Sequence, residues 1–398
     1  MDENLINEII IQTIDEVSVD NSFYFRVPPN TLVGDGISTK IGGEIAKYRP
    51  KKILIVTDRS MVELNLMAPM LRSLNRQNIK YIIFDKVQSD PTDKILSEGI
   101  SKVKEENCDL ILGFGGGSPI DVAKAIAVFS TNPGPFVAEN IKNERLKLAA
   151  VPTTAGTGSE VTAISVITNT DTHRKMLIDH PSIIPDMAFI DPRLTLGIPP
   201  KITAMTGIDV LSHAIEAYLA KSSCTLARAL SHRVIRLVGE YLPTAVGYGS
   251  NEQARHKMAI ASYMAGMAFS NAGLGLAHAM AHQIGAKYKI PHGMSIALVL
   301  PAVMRFNLLV RAERIADIAG AFGEKTEQFS VKEAAYKGIE AVQNLIKEIG
   351  LPTKLSEINS EKADFRVMAE NALADRSILT NPRTAGVDDI IRLYEEIF

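Results

Sequence analysis

The stretch CDLILGFGGGSPIDVAKAIAVF, residues 108–129, decides the fold of the first half of the chain. Its first part is typical of a buried strand, three glycines follow, and the rest has the apolar spacing of a helix. Glycine lets a backbone approach a phosphate closely, and the start of a helix presents free N–H groups and a positive dipole end. The pattern therefore predicts a strand, a nucleotide-binding loop and a helix. The residues expected beside the nucleotide are Gly115, Gly116, Gly117, Ser118 and Asp121.

This loop differs from the common glycine fingerprint of dinucleotide-binding folds. Counted from Gly113, the pattern G-x-G-x-x-G requires a glycine at position 118, where serine stands. A plain tight turn between a strand and a helix is therefore the alternative interpretation.

Two further segments favour nucleotide binding. Asp58 ends an earlier strand pattern, where its carboxylate can accept a ribose hydroxyl and repel a 2′-phosphate, which favours NAD over NADP. Its alternative role is to cap the next helix. The turn PTTAGTGSEVT, residues 152–162, follows another strand pattern and carries hydroxyls that suit phosphate or ribose contacts. A plain connecting turn has a similar composition.

Strand and helix patterns alternate through the first half. Runs typical of buried strands are 51–58, 80–87, 108–115 and 147–154. Runs with helical spacing lie between them at 61–77 and 93–107. Because parallel strands are covered on both sides, such alternation of apolar strands with helices predicts a mostly parallel sheet with helices on both faces.

The chain changes character at LTLGIPP, residues 194–200, where a double proline ends the alternation and helical patterns follow. We therefore predict an α/β domain over residues 21–198 and an all-helical domain over 199–398. Residues 1–20 form a separate extension, in which 5–17 carry one apolar helical stripe. The extension is expected to dock on this subunit or a neighbour. The alternative is a targeting helix that directs the protein into a bacterial microcompartment.

Composition argues against several classes of protein. Of the 398 residues, 46% are hydrophobic and 22% are charged, which is ordinary for a globular protein with a sizeable core. The net charge of −2, without a long basic run, predicts no nucleic-acid partner. No apolar stretch approaches membrane-spanning length and acidic residues interrupt the N-terminus, so neither a membrane nor a secretory signal is expected. Cys108 and Cys224 are expected to be reduced thiols in a cytoplasmic protein.

An aspartate and several histidines in the second half form a candidate metal site. Asp209 and His213 lie four residues apart, as do His278 and His282, so each pair shares one face of a helix. His292 follows just after a proline. One such pair alone is more often a surface interaction, and a lone histidine on an apolar helix is usually hydrogen-bonded in the core. Because buried charges and imidazoles need partners, the combination favours a divalent metal such as Fe²⁺ or Zn²⁺.

Five motifs, in this order, resemble the iron-containing (group III) alcohol dehydrogenases, the family of lactaldehyde reductase and 1,3-propanediol dehydrogenase. The motifs are GGGSPIDVAKAIA, PTTAGTGSEVT, GIDVLSHAIEAY, GLAHAMAHQIGAKYKIPHG and TNPR (380–383). The similarity runs from about residue 24 to the C-terminus. It implies a dehydroquinate synthase-like fold, in which an α/β dinucleotide-binding domain and an all-α metal-binding domain enclose the active site. It also implies a homodimer or a larger homo-oligomer.

The resemblance assigns roles to individual residues. The implied metal ligands are Asp209, His213, His278 and His292. His282 would lie beside the metal as a proton-relay or positioning group. The implied cofactor contacts are Asp58, Asp90, Thr153, Thr154, Thr157, Lys175 and the loop 115–118.

Several positions differ from the lactaldehyde-reductase-like pattern and bear on the substrate. Ile164 and Asp90 stand where those enzymes have asparagine, and Ser377 stands where cysteine is common. Phe269 is retained and is expected to wall the substrate pocket. The loss of a polar contact at Ile164 argues against lactaldehyde. Arg376 is expected to be an ordinary surface arginine, and the alternative is that it binds an anionic substrate tail such as a sulfonate or carboxylate.

Together these residues predict a metal-dependent, NAD(H)-linked oxidoreductase that reduces a short hydroxy-, aliphatic or sulfo-aldehyde to its primary alcohol. The expected chemistry is hydride transfer from NADH to a metal-polarised carbonyl, with His282 or ribose hydroxyls delivering the proton. One alternative is a non-redox enzyme on the same scaffold, similar to dehydroquinate synthase, which would need a polar, multi-basic pocket. The other is a non-catalytic NAD-binding assembly module, which would need no open metal site.

Overall fold

Six parallel strands form the sheet of the first half. The computed structural model describes residues 22–172, 175–358 and 361–398, so the predicted helix over 5–17 lies outside the described residues. The strands are β1 (Asn30–Val33), β2 (Ile53–Asp58), β3 (Tyr81–Val87), β4 (Leu110–Gly115), β5 (Lys147–Pro152) and β8 (Met187–Ile190), in the spatial order β1-β8-β5-β4-β2-β3. Two further strands, β6 (Ile164–Thr168) and β7 (Lys175–Asp179), form a separate antiparallel hairpin.

Helices cover both faces of the sheet, as the apolar strands predict. They are α1 (Ile41–Ala46), α2 (Arg59–Glu63), α3 (Ala68–Arg76), α4 (Asp93–Glu106) and α5 (Gly117–Phe129). In β2, Ile53 and Ile55 pack with α1 and α3 on one face, and Leu54 and Val56 pack with α4 and α5 on the other. All four side chains are fully buried, which explains why the strand has no polar alternation.

The single helix expected over 61–77 is instead two helices, α2 and α3. Asn65, between them, has a left-handed φ of 54°, which is incompatible with a continuous helix. Pro69 lies in the first turn of α3, where its missing N–H costs little. Apolar residues continue across the break, so periodicity alone did not show it.

In the described part of the second half every regular element is a helix. These helices are α6 (Pro200–Leu219), α7 (Thr225–Gly247), α8 (Glu252–Ala272), α9 (Leu276–Tyr288), α10 (His292–Ala321), α11 (Val331–Glu348), α12 (Phe365–Ala374) and α13 (Val387–Glu396), with short 3-10 turns between some of them. Their inward faces form one large apolar core around α6. The predicted fold class, an α/β sheet domain followed by an all-helical domain, is confirmed.

Helix α10 is longer and more apolar than the sequence analysis expected. By length and composition its 30 residues are sufficient to cross a membrane, so the expectation that no stretch approaches that length is wrong. The most apolar part of the helix is 72% buried inside the protein, which is the behaviour of a core helix. Pro301 and Arg305 interrupt the run in the sequence, and the backbone is kinked at Arg311. The helix begins with His292, one of the candidate metal ligands.

Candidate active site and metal centre

The candidate cofactor residues lie at the carboxyl ends of three neighbouring strands. Asp58 ends β2, Gly115 ends β4 and Pro152 ends β5. The chain leaves β2 toward β3 on one side and leaves β4 toward β5 on the other, so the strand order reverses between β2 and β4. A crevice at such a reversal is where open α/β sheets bind nucleotides.

Two glycines of the loop, Gly115 and Gly117, have close contacts that leave no room for side chains. Gly115 has a φ of +144°, and a Cβ there would lie 2.8 Å from Pro119 Cγ. A Cβ on Gly117 would lie 2.9 Å from Thr157 Cγ2. Gly116 precedes α5 and provides no side-chain cap, so no side chain at this position covers the first N–H groups of the 13-residue helix. The loop therefore presents a backbone cradle of the kind that binds phosphate.

The hydroxyl-rich turn over 152–162 interlocks with the glycine loop. The Thr153 amide donates to the Gly115 carbonyl at 2.9 Å. Thr154 lies beside Gly116, where a Cβ would be 3.6 Å from the threonine Oγ1. Ser118 occupies the first turn of α5. The structure thus brings the loop 115–118 together with the three candidate threonines.

The position of the Asp58 carboxylate is compatible with both of its predicted roles, a helix cap and a contact to the cofactor. Its Oδ1 accepts the Met61 amide at 3.2 Å and so caps α2. Its Oδ2 lies beside the glycine loop, 3.4 Å from where a Cβ on Gly115 would be. One oxygen therefore stabilises a helix while the other borders the crevice.

Three other candidate cofactor residues are engaged with protein groups. Asp121 is buried within α5, and its Oδ2 accepts the Val166 amide of β6 at 3.1 Å. Lys175 Nζ lies 2.8 Å from Asp90 Oδ1, and both side chains are largely exposed. Asp121 therefore attaches α5 to the hairpin, and the Asp90–Lys175 ion pair attaches the loop after β3 to the same hairpin.

The turn over 152–162 also contacts the helical half. A Cβ on Gly156 would lie 2.9 Å from Thr206 Cβ in α6. Gly158, with a φ of +63°, approaches α8, and a Cβ there would lie 2.8 Å from Gly266 Cα. Asp209 follows Thr206 by three residues on α6. The glycine loop and the candidate metal ligands therefore lie on either side of one turn.

Three imidazoles converge on the Oδ1 atom of Asp209. The Nε2 atom of His213 lies 3.4 Å from it, that of His278 lies 3.7 Å away and that of His292 lies 3.3 Å away. The ligand atoms of Asp209, His278 and His292 all lie within 4.8 Å of one another. His213 is outside this compact group of three, although it approaches the same carboxylate oxygen.

The donor set fits a divalent metal. Asp209 Oδ1 and His278 Nε2 are buried without a hydrogen-bond partner among the described residues, which is costly unless another group satisfies them. Burial raises the pKa of Asp209, but the facing imidazoles of His213 and His292 outweigh burial and hold it well below its usual range. Burial lowers the pKa of His213 to about 3. An ionised carboxylate and a neutral imidazole are the ligand forms that iron(II) and zinc bind.

His282 forms the open side of this group. Its Nδ1 lies 2.7 Å from Asp375 Oδ2, and its ring stacks on that of His292 with 5.3 Å between centroids. The side chains of His282 and His292 are 38% and 39% exposed, whereas those of Asp209 and His278 are almost fully buried. The group is therefore closed on the α6 side and open on the side of His282.

The candidate substrate residues lie in different places. The Phe269 ring stacks on His213 at 4.3 Å between centroids, and so packs against the metal group. The Ser377 amide donates to Asp375 Oδ1 at 2.8 Å, which places Ser377 next to the partner of His282. Arg376 is exposed. Ile164 begins β6, and its carbonyl accepts from Lys124 Nζ at 2.6 Å.

Two family models together match nearly the whole chain. The model for iron-containing alcohol dehydrogenase matches residues 28–192, and the model for the C-terminal part of the Fe-containing alcohol dehydrogenase family matches residues 203–398. The chain belongs to the iron-containing alcohol dehydrogenase family. This membership confirms the resemblance and the predicted enzyme class, an oxidoreductase of alcohols and aldehydes. It favours that class over the non-redox and non-catalytic alternatives.

Relatives of this iron-containing alcohol dehydrogenase align over almost all of its length. The probable alcohol dehydrogenase EutG of Escherichia coli (strain K12) is 39% identical over 396 residues, which are 98% of this chain and 99% of the relative. The NAD-dependent methanol dehydrogenase of Bacillus methanolicus is 38% identical over 93% of this chain and 98% of its own length. The crystal structure of a 1,3-propanediol oxidoreductase matches with a TM-score of 0.93 at 38% identity, over 95% of this chain and all of that one.

Sequence reasoning missed two carboxylates that contact the histidines of this alcohol dehydrogenase. Glu216 is buried on α6 and pairs with His278 Nδ1, and Asp375 pairs with His282. A signal for Glu216 was present, because it follows Asp209 by seven residues and so lies on the same helix face. Asp375 has no local signal, since it is 93 residues from His282 in the chain.

Proposed function

We propose that this protein is an NAD(H)-linked aldehyde reductase that holds iron(II) or zinc and converts a short aldehyde to its primary alcohol. One observation carries the proposal. Asp209, His278 and His292 form a compact donor group with unsatisfied buried atoms, and this group is separated from a phosphate-binding loop only by the turn over 152–162. A metal beside a dinucleotide site is the arrangement that hydride transfer to a carbonyl requires.

Asp209, His213, His278 and His292 are the proposed metal ligands. A divalent ion held there supplies positive charge that polarises a carbonyl and stabilises negative charge on its oxygen. Support comes from the convergence of the three histidines on one carboxylate oxygen. The partial exposure of His292 leaves an open side, as a catalytic rather than structural metal site needs.

NAD(H) is the proposed cofactor, lying across the carboxyl ends of β2, β4 and β5. The start of α5 suits the pyrophosphate, and Asp58 suits a ribose hydroxyl while its charge disfavours a 2′-phosphate. The three candidate threonines of the turn over 152–162 would line the opposite side, and the Asp90–Lys175 ion pair would border the crevice. The name of the Bacillus methanolicus relative, an NAD-dependent methanol dehydrogenase, supports this choice of cofactor.

His282 is the proposed proton carrier. An imidazole whose Nδ1–H is donated to Asp375 has Nε2 left to exchange a proton. Burial lowers the pKa of His282, so the ring is neutral near pH 7 and needs a proton from solvent or from a ribose hydroxyl in each turnover. Its partial exposure provides the solvent contact that this role requires.

The substrate is proposed to be a short aldehyde that contacts an apolar wall. Phe269 packs against the metal group, and Ile164 has replaced the asparagine of the lactaldehyde-reductase-like pattern. The apolar side chains at these two positions favour an unsubstituted or distally substituted aldehyde. The exposed Arg376, beside Ser377, is the proposed contact for an anionic tail such as a sulfonate.

We further propose a cytoplasmic homodimer or larger homo-oligomer, with residues 1–20 as a microcompartment-targeting extension. The alignment with EutG covers 98% of this chain, so it must include part of residues 1–20. Residues 1–20 fused to a fluorescent reporter should form discrete foci in the native cell, and diffuse fluorescence would contradict targeting. Size-exclusion chromatography with light scattering tests the oligomeric state.

The proposed activity is tested with anaerobically purified protein to which Fe²⁺ or Zn²⁺ has been restored. NADH consumption is followed with acetaldehyde, lactaldehyde, 3-hydroxypropanal, butanal and sulfoacetaldehyde. We expect metal-dependent turnover, with NADH strongly preferred over NADPH and lactaldehyde a poor substrate. Absence of turnover with both metals, in protein that binds NADH, would overturn the proposal. A preference for sulfoacetaldehyde that is lost in Arg376→Gln would assign the anionic-tail role to Arg376.

A further inference from the structure

Both carboxylate oxygens of Glu216 contact the first turn of helix α9. It is 5% exposed and lies on α6, on the face that carries Asp209 and His213. Oε1 accepts the Ala277 amide at 2.7 Å, and Oε2 pairs with Nδ1 of His278, the next residue. One buried charge therefore contacts both the backbone and the side chain at the start of α9.

The first turn of α9 depends on caps from elsewhere in the chain. Gly275, which precedes the helix, provides no side-chain cap. Glu216 Oε1 accepts a hydrogen bond from the Ala277 amide, and Asn381 Oδ1 accepts one from the Leu276 amide at 3.1 Å. A Cβ on Gly275 would lie 2.8 Å from Glu216 Oε1 and 2.9 Å from Asn381 Oδ1, so only glycine permits both caps. Gly275 and Asn381 of the TNPR motif therefore both help to position the start of α9 against Glu216.

A carboxylate is chemically required at this position. The Ala277 N–H and the Nδ1–H of His278 are both donors, so the side chain between them must offer two acceptors. Glutamine offers one acceptor and one donor. With its oxygen on the Ala277 N–H, its NH2 group faces Nδ1 and is satisfied only by the tautomer of His278 that carries the proton on Nε2. In a neutral His278 ring with Nδ1 protonated, Nε2 is the atom that carries no proton and can bind a metal. Nε2 is also the atom of this ring that is buried beside Asp209 without a hydrogen-bond partner in the described part of the chain.

We propose that Glu216 is a positioning residue that fixes the tautomer and the orientation of His278, so that Nε2 is presented as a metal ligand. This inference rests on the proposed metal site. Outer carboxylates of this kind raise ligand basicity, and their loss typically lowers metal affinity on the order of 10–100-fold. Among the described residues, the hydrogen bonds of the Glu216 side chain go to α9 and none goes to the glycine loop or the turn over 152–162, so cofactor binding should not depend on it.

The test compares the Co²⁺ affinity of full-length wild type, Glu216→Gln and Tyr394→Phe, measured by chelator competition and by cobalt absorption spectra. Tyr394 donates to the Met280 carbonyl of α9 at 3.1 Å, so its replacement removes one bond to the same helix and leaves His278 untouched. We expect Glu216→Gln to lose about 10–100-fold in Co²⁺ affinity with an altered spectrum. Tyr394→Phe should stay within about 2-fold of wild type, and NADH affinity should be unchanged in both.

Each result has a separate meaning. A Co²⁺ affinity of Glu216→Gln within about 2-fold of wild type would overturn the positioning role, as would an equal loss in Tyr394→Phe. Wild-type protein that binds no Co²⁺ would overturn the proposed metal site itself. If Glu216→Gln does not fold, ¹⁵N-histidine spectra of wild-type zinc protein decide the question, with the His278 signal identified by its absence in His278→Gln. A protonated Nδ1 is expected, and a protonated Nε2 would overturn the inference.

Discussion

His282 and Asp375 form a hydrogen-bonded pair on the open side of the metal group, with 2.7 Å between Nδ1 and Oδ2. The other carboxylate oxygen accepts the Ser377 amide at 2.8 Å, so the aspartate is held from two directions. Burial raises the pKa of Asp375, but the bonds from His282 and Ser377 outweigh burial and lower it to about 2. Asp375 is therefore ionised near pH 7, and it orients the neutral imidazole with Nε2 free.

Asp375→Asn should lower kcat for aldehyde reduction by about 10-fold or more, because the ring loses the charged partner that fixes its orientation. The Kd for NADH should be unchanged. Steady-state kinetics and NADH fluorescence titration measure the two quantities. Since the two side chains act as a unit, His282→Gln combined with Asp375→Asn should be no slower than His282→Gln alone. Independent, additive losses would show that Asp375 acts by another route.

Asp58→Asn should weaken the preference for NADH. Asparagine is as good a helix cap as aspartate, so the Met61 bond that begins α2 is retained while the charge beside the crevice is lost. Because a 2′-phosphate no longer meets a carboxylate, we expect the ratio of kcat/KM for NADH over NADPH to fall about 10-fold or more. If the ratio of kcat/KM for NADH over NADPH and the melting temperature are both unchanged, Asp58 does not contact the cofactor.

Gly117→Ala should weaken NADH binding by about 10-fold, since the new Cβ would lie 2.9 Å from Thr157 Cγ2 and push the loop and the turn apart. The metal content should not change. Gly43→Ala in α1 is the matched control, because a Cβ there meets nothing within 4 Å. That variant should bind NADH normally and melt at the same or a slightly higher temperature. Normal NADH binding by Gly117→Ala would show that the cofactor does not use this loop.

Asp209→Asn should remove the metal and the activity together. The substitution keeps the size of the side chain but removes the negative charge of the carboxylate on which the three imidazoles converge. We expect metal content to fall at least about 10-fold, activity to stay absent after Fe²⁺ or Zn²⁺ is added, and NADH binding to persist. Asp35→Asn is the control, because Asp35 pairs with His256 outside the site. Full activity of metal-free Asp209→Asn would exclude a metal-dependent reaction.

Local patterns predicted the parts of this enzyme whose geometry is local. The spacing of four between Asp209 and His213 fixes a shared helix face in any fold, and the glycines before α5 define their turn through their own backbone. Strand patterns likewise placed Asp58 and Gly115 at the ends of strands. Parallel pairing then brings those ends to one edge of the sheet, where the structure has them.

Contacts that depend on packing between distant segments were beyond these patterns. Glu216 lies 62 residues from His278 in the chain, and the two meet only because the first turn of α9 lies against the Glu216 side chain of α6. Asn381 lies in the TNPR motif, and its role depends on packing in the same way, since it caps α9 from 105 residues away in the chain. The break between α2 and α3 was missed for a different reason, since the left-handed conformation of Asn65 leaves the apolar spacing intact.

A buried charged cluster connects α5 to the segment before the hairpin. Lys124 is fully buried, and its Nζ donates to Thr162 Oγ1 at 2.9 Å and to the Ile164 carbonyl at 2.6 Å. Asp121 Oδ1 lies 3.8 Å from the same nitrogen. Glu160 is 2% exposed, and burial raises its pKa to about 7, although the charge of Lys124 opposes the shift. Burial also lowers the pKa of Lys124 to about 8.

Glu160→Gln should therefore change how stability depends on pH. A carboxyl group whose pKa is raised by folding stabilises the folded state below its unfolded value, here 4.5, and this contribution is lost as the pH rises through about 7. Wild type should lose on the order of 2–3 kcal/mol relative to Glu160→Gln between about pH 5 and pH 7.5. Melting temperatures of both proteins across this range measure the difference. Glu370→Gln, at an exposed position, should run parallel to wild type. A difference between wild type and Glu160→Gln that stays constant with pH would mean that Glu160 is ionised in the folded protein throughout.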